Sequence, residues 1–139
     1  MSMNFKNQNI QNNLRNNFKG KYPLSENDSS VNEKVKKLFE AIKNDNKDLT
    51  VSLVKEGVDV NSRDKEDLNK TPLHVAAEKG NVILYLYLIK NGADIYAKDD
   101  LGRTAKDIAV ENDHVEIITY PENLILKMYK NAQKNKKSL

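Results

Sequence analysis

Residues 71–96 read TPLHVAAEKGNVILYLYLIKNGADIY, and their chemistry spells two short helices and a return. Thr71 offers a hydroxyl that can cap a helix, and Pro72 stands in the first turn, where its missing amide hydrogen is not needed. Leu73, Ala76 and Ala77 fall at helical spacing and form a small-residue face that lets a neighbouring helix approach closely. Gly80 supplies a left-handed helix end, a second helix runs from Val82 to Lys90, and Gly92 stops it. The chain then returns extended through residues 93–98 to a turn at Asp99-Asp100-Leu101-Gly102.

This unit recurs on both sides. From residue 104 the chain reads TAKDIAVENDHVEIITY, which sets Thr104 on Thr71, Ala109 on Ala76, His114 on Asn81 and Ile117 on Leu84, a period of 33. Upstream, LFEAIKNDNKDLTVSLVKEGVDVN sets Ala41 on Ala76, Asn46 on Asn81, Leu53 on Leu88 and Gly57 on Gly92, an offset of 35. The two additional residues fall in the polar stretch DKEDLNK, where a loop absorbs them at little entropic cost. A helix pair with one hairpin cannot bury its own apolar face, so three copies at this period specify a stacked solenoid with one continuous core.

Thr71-Pro72-Leu73-His74 resembles the TPLH signature of the ankyrin-repeat family, and Ala76-Ala77, Gly80-Asn81 and Asn91-Gly92-Ala93-Asp94-Ile95 match its further landmarks. The third copy keeps Gly102, Thr104 and Ala109 but has Ala105-Lys106-Asp107 in place of Pro-Leu-His, and the first copy has no TPLH. Degenerate outer copies are expected of repeats that shield the ends of a stack. The resemblance covers roughly residues 34–120. It implies an all-α ankyrin-repeat solenoid of about three helix-turn-helix repeats with hairpin loops, an N-terminal extension and a C-terminal capping helix. The expected organisation is a basic, asparagine-rich segment over residues 1–32, a repeat domain with its cap over 33–130, and a basic tail over 131–139, frayed beyond Lys130. Pro121 stands where the middle copy has Leu88, so the last repeat helix should stop or kink there. Leu124, Ile125, Met128 and Tyr129 of a fresh helix would then cover the end of the stack.

Charge is segregated along the chain. The formal net charge is +3, yet residues 1–25 carry four bases and no acid, and residues 127–139 carry five bases and no acid. All twenty acids therefore lie between, against fourteen bases, so the stretch 26–126 has a net charge of −6 and should repel polyanions. Cysteine is absent, which excludes disulfides and thiolate metal sites. The N-terminus lacks the apolar run of a secretory signal, which makes a cytoplasmic location, or delivery into a host cell without a signal peptide, the expectation.

No phosphate loop, GxSxG elbow, HExxH pair or dinucleotide fingerprint is present, so no catalytic site, cofactor or metal is expected. The family register gives His74 a structural role between repeats, and His114 begins the second helix of the third copy. The run from Asp64 to Asn69 has Leu68 where a calcium loop needs an oxygen ligand and lacks the glycine at its sixth position, so it reads as a solvated hairpin tip.

What remains is surface. The family resemblance implies partner binding through hairpin tips and the exposed side of the first helices, which line a concave face. By position these are Asp67, Leu68 and Lys70 in one tip and Asp100, Leu101 and Arg103 in the next. From the helices come Lys43 and Asn44, Glu78 and Lys79, and Glu111 and Asn112. A second candidate contact is an outward apolar stripe on the second-helix layer, Val51, Ile83 and Leu86, where the family usually shows charges. Docking of the chain's own terminus, a homodimer, or a partner would each explain it. The terminal candidate is the run Ile10, Leu14 and Phe18, at helical spacing in a basic segment that also suits disorder, organelle targeting or a membrane surface. The expected function is thus a non-enzymatic protein-protein interaction module with a protein partner. The third repeat resembles those of ankyrin proteins from intracellular bacteria, which implies an effector or adaptor acting in a host cell. The alternative is an adaptor whose basic termini associate with a polyanion, membrane or RNA, while the repeats hold a protein.

Overall fold

A computed structural model describes residues 29–138. The chain divides into two units, residues 1–32 and 33–139; of the first, only residues 29–32 are described, and they begin a helix. The run Ile10, Leu14 and Phe18 lies outside the described residues. Among the described residues seven helices follow in order: α1 Ser29–Lys43, α2 Lys47–Lys55, α3 Pro72–Lys79, α4 Val82–Lys90, α5 Ala105–Glu111, α6 Val115–Ile118 and α7 Glu122–Ser138. The first six form three pairs joined by hairpin loops, and the only bridge of sheet type among the described residues links Asp64 and Lys70.

Each pair begins and turns by local rules. Thr71 caps α3 in a reciprocal box with His74, and Thr104 caps α5 in the same box with Asp107. Within each pair the chain reverses through one left-handed residue, Asp45, Gly80 or Asp113. Asn46 and Asn81 then cap the second helices by accepting the amides of Leu49 and Leu84. Gly80 is required for a further reason: a Cβ at its φ of +72° would lie 2.5 Å from the His114 ring of the next repeat.

One apolar cluster runs through the stack, from Leu38, Phe39 and Ile42 of α1 through Leu53, Leu73, Ala76, Leu84 and Leu88 to Ala105, Ala109 and Ile117. Ala76, Ala77 and Ala109 are fully buried, as close helix approach demands, and α3 packs directly on α5.

Pro121 ends the third pair early, so α6 is a single turn, and the Pro121 carbonyl accepts the first amide bonds of α7. α6 is short, and α7 packs on α4 more extensively than α6 does. Ile125, Met128 and Tyr129 pack against the core there, as a capping helix requires, and Leu124 is exposed, which corrects its expected part in that cover. Val110 and Val115 of the third repeat accordingly stay exposed. The fraying expected after Lys130 is also corrected. Ala132 continues the apolar face set by Ile125, Met128 and Tyr129, is itself buried, and α7 runs on to Ser138.

Candidate partner-binding face

Two hairpins carry the candidate surface. The first closes with the Asp64 amide donating to the Lys70 carbonyl at 2.8 Å, the second with the Asp99 amide donating to the Arg103 carbonyl at 3.0 Å. Asp64 and Asp99 are 35 apart while Lys70 and Arg103 are 33 apart, so the two-residue insertion sits within the first loop. The hairpins are tied together: the Asp100 amide donates to the Leu68 carbonyl at 2.8 Å, and the Arg63 guanidinium donates to the carbonyls of Asn69 and Lys98.

Asp99 organises the second tip. Its side chain is fully buried, accepts the amides of Leu101 and Arg103 at 3.0 and 2.9 Å, and meets the Arg103 guanidinium at 2.8–2.9 Å. Burial disfavours the carboxylate, but the Arg103 and Leu101 amides and the Arg103 charge outweigh that cost and hold Asp99 below its ordinary range. Arg103 also reaches Glu111 at 2.9 Å, and one repeat earlier Lys70 reaches Glu78 at 3.1 Å and Asp67 at 3.4 Å. Burial would discharge Lys70, yet Glu78 and Asp67 raise its pKa, so it stays cationic. In the first repeat the polarity reverses, with Lys43 of α1 reaching Asp64 of the hairpin at 3.6 Å.

These pairs bring the hairpins against the ends of the first helices and divide the expected contact residues. Lys70 is buried and committed to internal partners, which corrects its assignment to an exposed contact surface. Arg103, Glu78 and Asp67 are partly buried in the same pairs, and Glu111 is exposed but bound to Arg103. Asn112 is exposed and its side chain donates to the Ile108 carbonyl. Lys43, Asn44, Lys79 and Asp100 are exposed, as are Leu68 at 39% and Leu101 at 62%. Leu68 holds a φ of +54°, a left-handed conformation unfavourable for a branched apolar side chain.

The outward stripe is narrower than expected. Ile83 is exposed at 57%, while Val51 is half-buried and Leu86 is half-buried against the core. A lone exposed isoleucine is ordinary protein surface.

Elsewhere, a shallow groove of about 190 Å³ opens among α4 to α7, lined in part by Tyr85, Tyr96 and Tyr120 and by the Lys106–Glu122 pair, whose atoms approach to 4.0 Å. Burial pushes the Tyr85 hydroxyl up to about 12, so it stays a neutral phenol. Among the described residues no cluster of metal-ligating side chains forms, and no helix is long and apolar enough to cross a membrane.

His74 completes the frame. Its Nδ1 accepts from the Thr71 amide and hydroxyl, and its Nε2 lies 2.8 Å from the Arg103 carbonyl, an arrangement that a neutral Nε2–H ring satisfies. One repeat on, Asp107 keeps the capping bond but spans to no further repeat, so a short side chain suffices.

The model of the family described as "Ankyrin repeats (3 copies)" matches residues 38–137. The chain belongs to the ankyrin-repeat family. Similar curated proteins come from a plant, a spider and a mammal. It is 34% identical over 117 residues to alpha-latrocrustotoxin-Lt1a of Latrodectus tredecimguttatus, covering 81% of this chain and 8% of the toxin. It is 40% identical over 63 residues to potassium channel SKOR of Arabidopsis thaliana, covering 45% of this chain and 7% of the channel. It is 36% identical over 81 residues to protein phosphatase 1 regulatory subunit 27 of Homo sapiens, covering 58% of this chain and 51% of that protein. The chain thus spans less than a tenth of the channel and the toxin. The ankyrin architecture accounts for the residues missed in the sequence: Asn61, Arg63 and Asp99 all work between repeats or within a hairpin. For Asp99 the readable signal was the recurrence of Asp64 as Asp99 and of the pair Lys70 and Glu78 as Arg103 and Glu111; Asn61 aligns with Tyr96 in the next copy and gave no such signal.

Proposed function

We propose that this ankyrin domain is a non-enzymatic protein-binding module that grips its partner with the two hairpin tips. Ankyrin repeats generally serve protein-protein interaction. The observation that carries the assignment of the tips is Leu68, held exposed in a left-handed conformation and bonded through its carbonyl to the next tip, where Leu101 is exposed in turn. Strain and exposed apolar area at one position argue for use rather than packing. Lys70 and Arg103 are spent on internal acids, so the tips offer leucines among the exposed Lys65, Glu66, Lys98 and Asp100, and the net charge of −6 over residues 26–126 favours a partner whose apolar contact is set in a basic face. The finer reading is an effector or adaptor that meets a host protein in the cytoplasm.

The test is affinity capture from host lysate with the wild type and the variant Leu68→Ser/Lys79→Glu/Asp100→Lys/Leu101→Ser. None of these four side chains takes part in an ion pair found among the described residues. A protein kept by the wild type and lost by the variant supports the tips as the site. Identical captures from both sink the reading.

A further inference from the structure

The groove among α4 to α7 holds a polar group that the fold does not use. Tyr85 of α4 lines it and is only 5% exposed, yet its hydroxyl has no hydrogen-bond partner among the described residues. Among those residues the one sealed side-chain oxygen without a partner is Ser62 Oγ, so the Tyr85 hydroxyl is not shut in the core but opens on the groove. An unpaired donor at such a depth costs the fold free energy that a phenylalanine in its place would not. The surroundings are of one kind. Tyr96, 59% exposed, is fixed by its edge-to-face contact with Tyr129 at 5.7 Å, so its ring is set before any ligand arrives. Tyr120 adds a half-buried ring, and Ile95, Ile117 and Leu126 add apolar walls. Thr104 Oγ accepts the Asp107 amide and keeps its own proton to give. At the rim the one base, Lys106, stands 4.0 Å from the one acid, Glu122, so the groove carries no net charge.

We propose that this groove binds a proline-rich segment of a partner protein in the polyproline II conformation. The groove offers hydroxyl donors and aromatic rings without net charge. A proline-rich strand is the complement of each: its carbonyls are unpaired within its own helix, its prolines bring no amide hydrogen, and its rings are apolar and uncharged. Other ligands leave something unmet. An amphipathic helix presents carbonyls that are already bonded to its own amides, so it has none for Tyr85. An added β-strand needs a sheet edge, and the only bridge of sheet type among the described residues, Asp64 with Lys70, lies in another repeat. A nucleic acid needs a positive groove. The groove is shallow, and its volume of about 190 Å³ is below the roughly 300–1,000 Å³ of sites that engulf a small molecule, so its ligand lies across it. Neither Leu68 nor Leu101 lines it, so this site is separate from the hairpin tips.

The test is titration of the full chain with a decaproline peptide to about 1 mM, with amide shifts read by heteronuclear NMR and a glycine-serine peptide of equal length as the control. Shifts should centre on Ile95, Tyr96, Thr104, Lys106 and Tyr120, and the control peptide should move none of them. Tyr85→Phe should weaken binding about fivefold while its urea midpoint stays the same or rises, since the hydroxyl serves the ligand and not the fold. Tyr96→Ala should weaken binding by about the same factor, and it decides the matter if Tyr85→Phe disturbs the spectrum beyond the groove. Four results would overturn the proposal: no shifts at the highest peptide concentration, shifts centred on the hairpin tips, equal binding of the control peptide, or a Tyr85→Phe variant that binds as the wild type does. The hairpin variant should bind decaproline normally, which keeps this test independent of the partner held at the tips.

Discussion

His74 must be neutral to do its work. Protonating Nδ1 would set a hydrogen against the Thr71 amide, and burial together with nearby Arg63 and Arg103 lowers its pKa despite the Arg103 carbonyl and Asp99. Its folded value lies below the unfolded value of about 6.5. Its contribution is therefore complete above that value and is lost as the pH falls through the window down to the folded pKa. Urea titrations from neutral to mildly acidic pH should show stability falling. His74→Gln should start lower by about 1–3 kcal/mol and lose this dependence. Asp99, also lowered, adds a second loss only at more acid pH, below its ordinary 3.8. At Gly80 the conformation and the neighbour can be separated. Gly80→Ala should cost about 1–2 kcal/mol for the left-handed backbone and a further amount for displacing His114, whose Nε2 sits 2.7 Å from the Glu78 carbonyl. Measured against His114→Ala alone, the double variant should recover the steric part only, read by thermal unfolding of the two single variants and the double one.

Among the elements, the middle pair was legible because each of its signals is local: cap, proline, small-residue face and glycine stop lie within a few residues of one another. The same holds for the start of α7 at Pro121. Where α7 packs was not legible, since a proline stops a helix without stating where the next one goes; the short α6 leaves the flank of α4 open, and that decides it. Lys70 failed differently, because a lysine in a polar loop reads as solvated until Glu78, eight residues on, is brought beside it. The leucines of the tips were legible as turn residues, but the left-handed strain at Leu68 was not. If residues 131–138 belong to α7 as packed helix, deleting 131–139 should remove the buried Ala132 contact and cost about 1 kcal/mol. Hydrogen exchange should then quicken along α7 while the amides of α3 keep their protection. Unchanged exchange in α7 would show that the last turns add nothing to its docking.

At the scale of the molecule, charge is arranged in layers: internal pairs knit the hairpins to the first helices, while the sequence after Glu122 holds bases and no acid. If a basic partner is recognised at the tips, its association rate should fall steeply with salt while the dissociation rate changes little. Loss of the exposed leucines should instead quicken dissociation. Surface plasmon resonance against the captured partner separates the two, and an association rate indifferent to salt would remove charge steering from the account.

Asn61 and Tyr96 occupy equivalent places 35 residues apart. The Asn61 amide bridges to the following repeat, donating to the Gly92 carbonyl at 3.0 Å and accepting the Asp94 amide at 2.8 Å. Tyr96 meets Tyr129 instead. In the vocabulary of an assembly kit, the first repeat ends in a coupling and the second in a stopper. A tandem duplication of the middle repeat would leave a tyrosine at the new junction, with no amide to clasp the incoming backbone, so the array can be lengthened cleanly only if Tyr96→Asn is changed along with it.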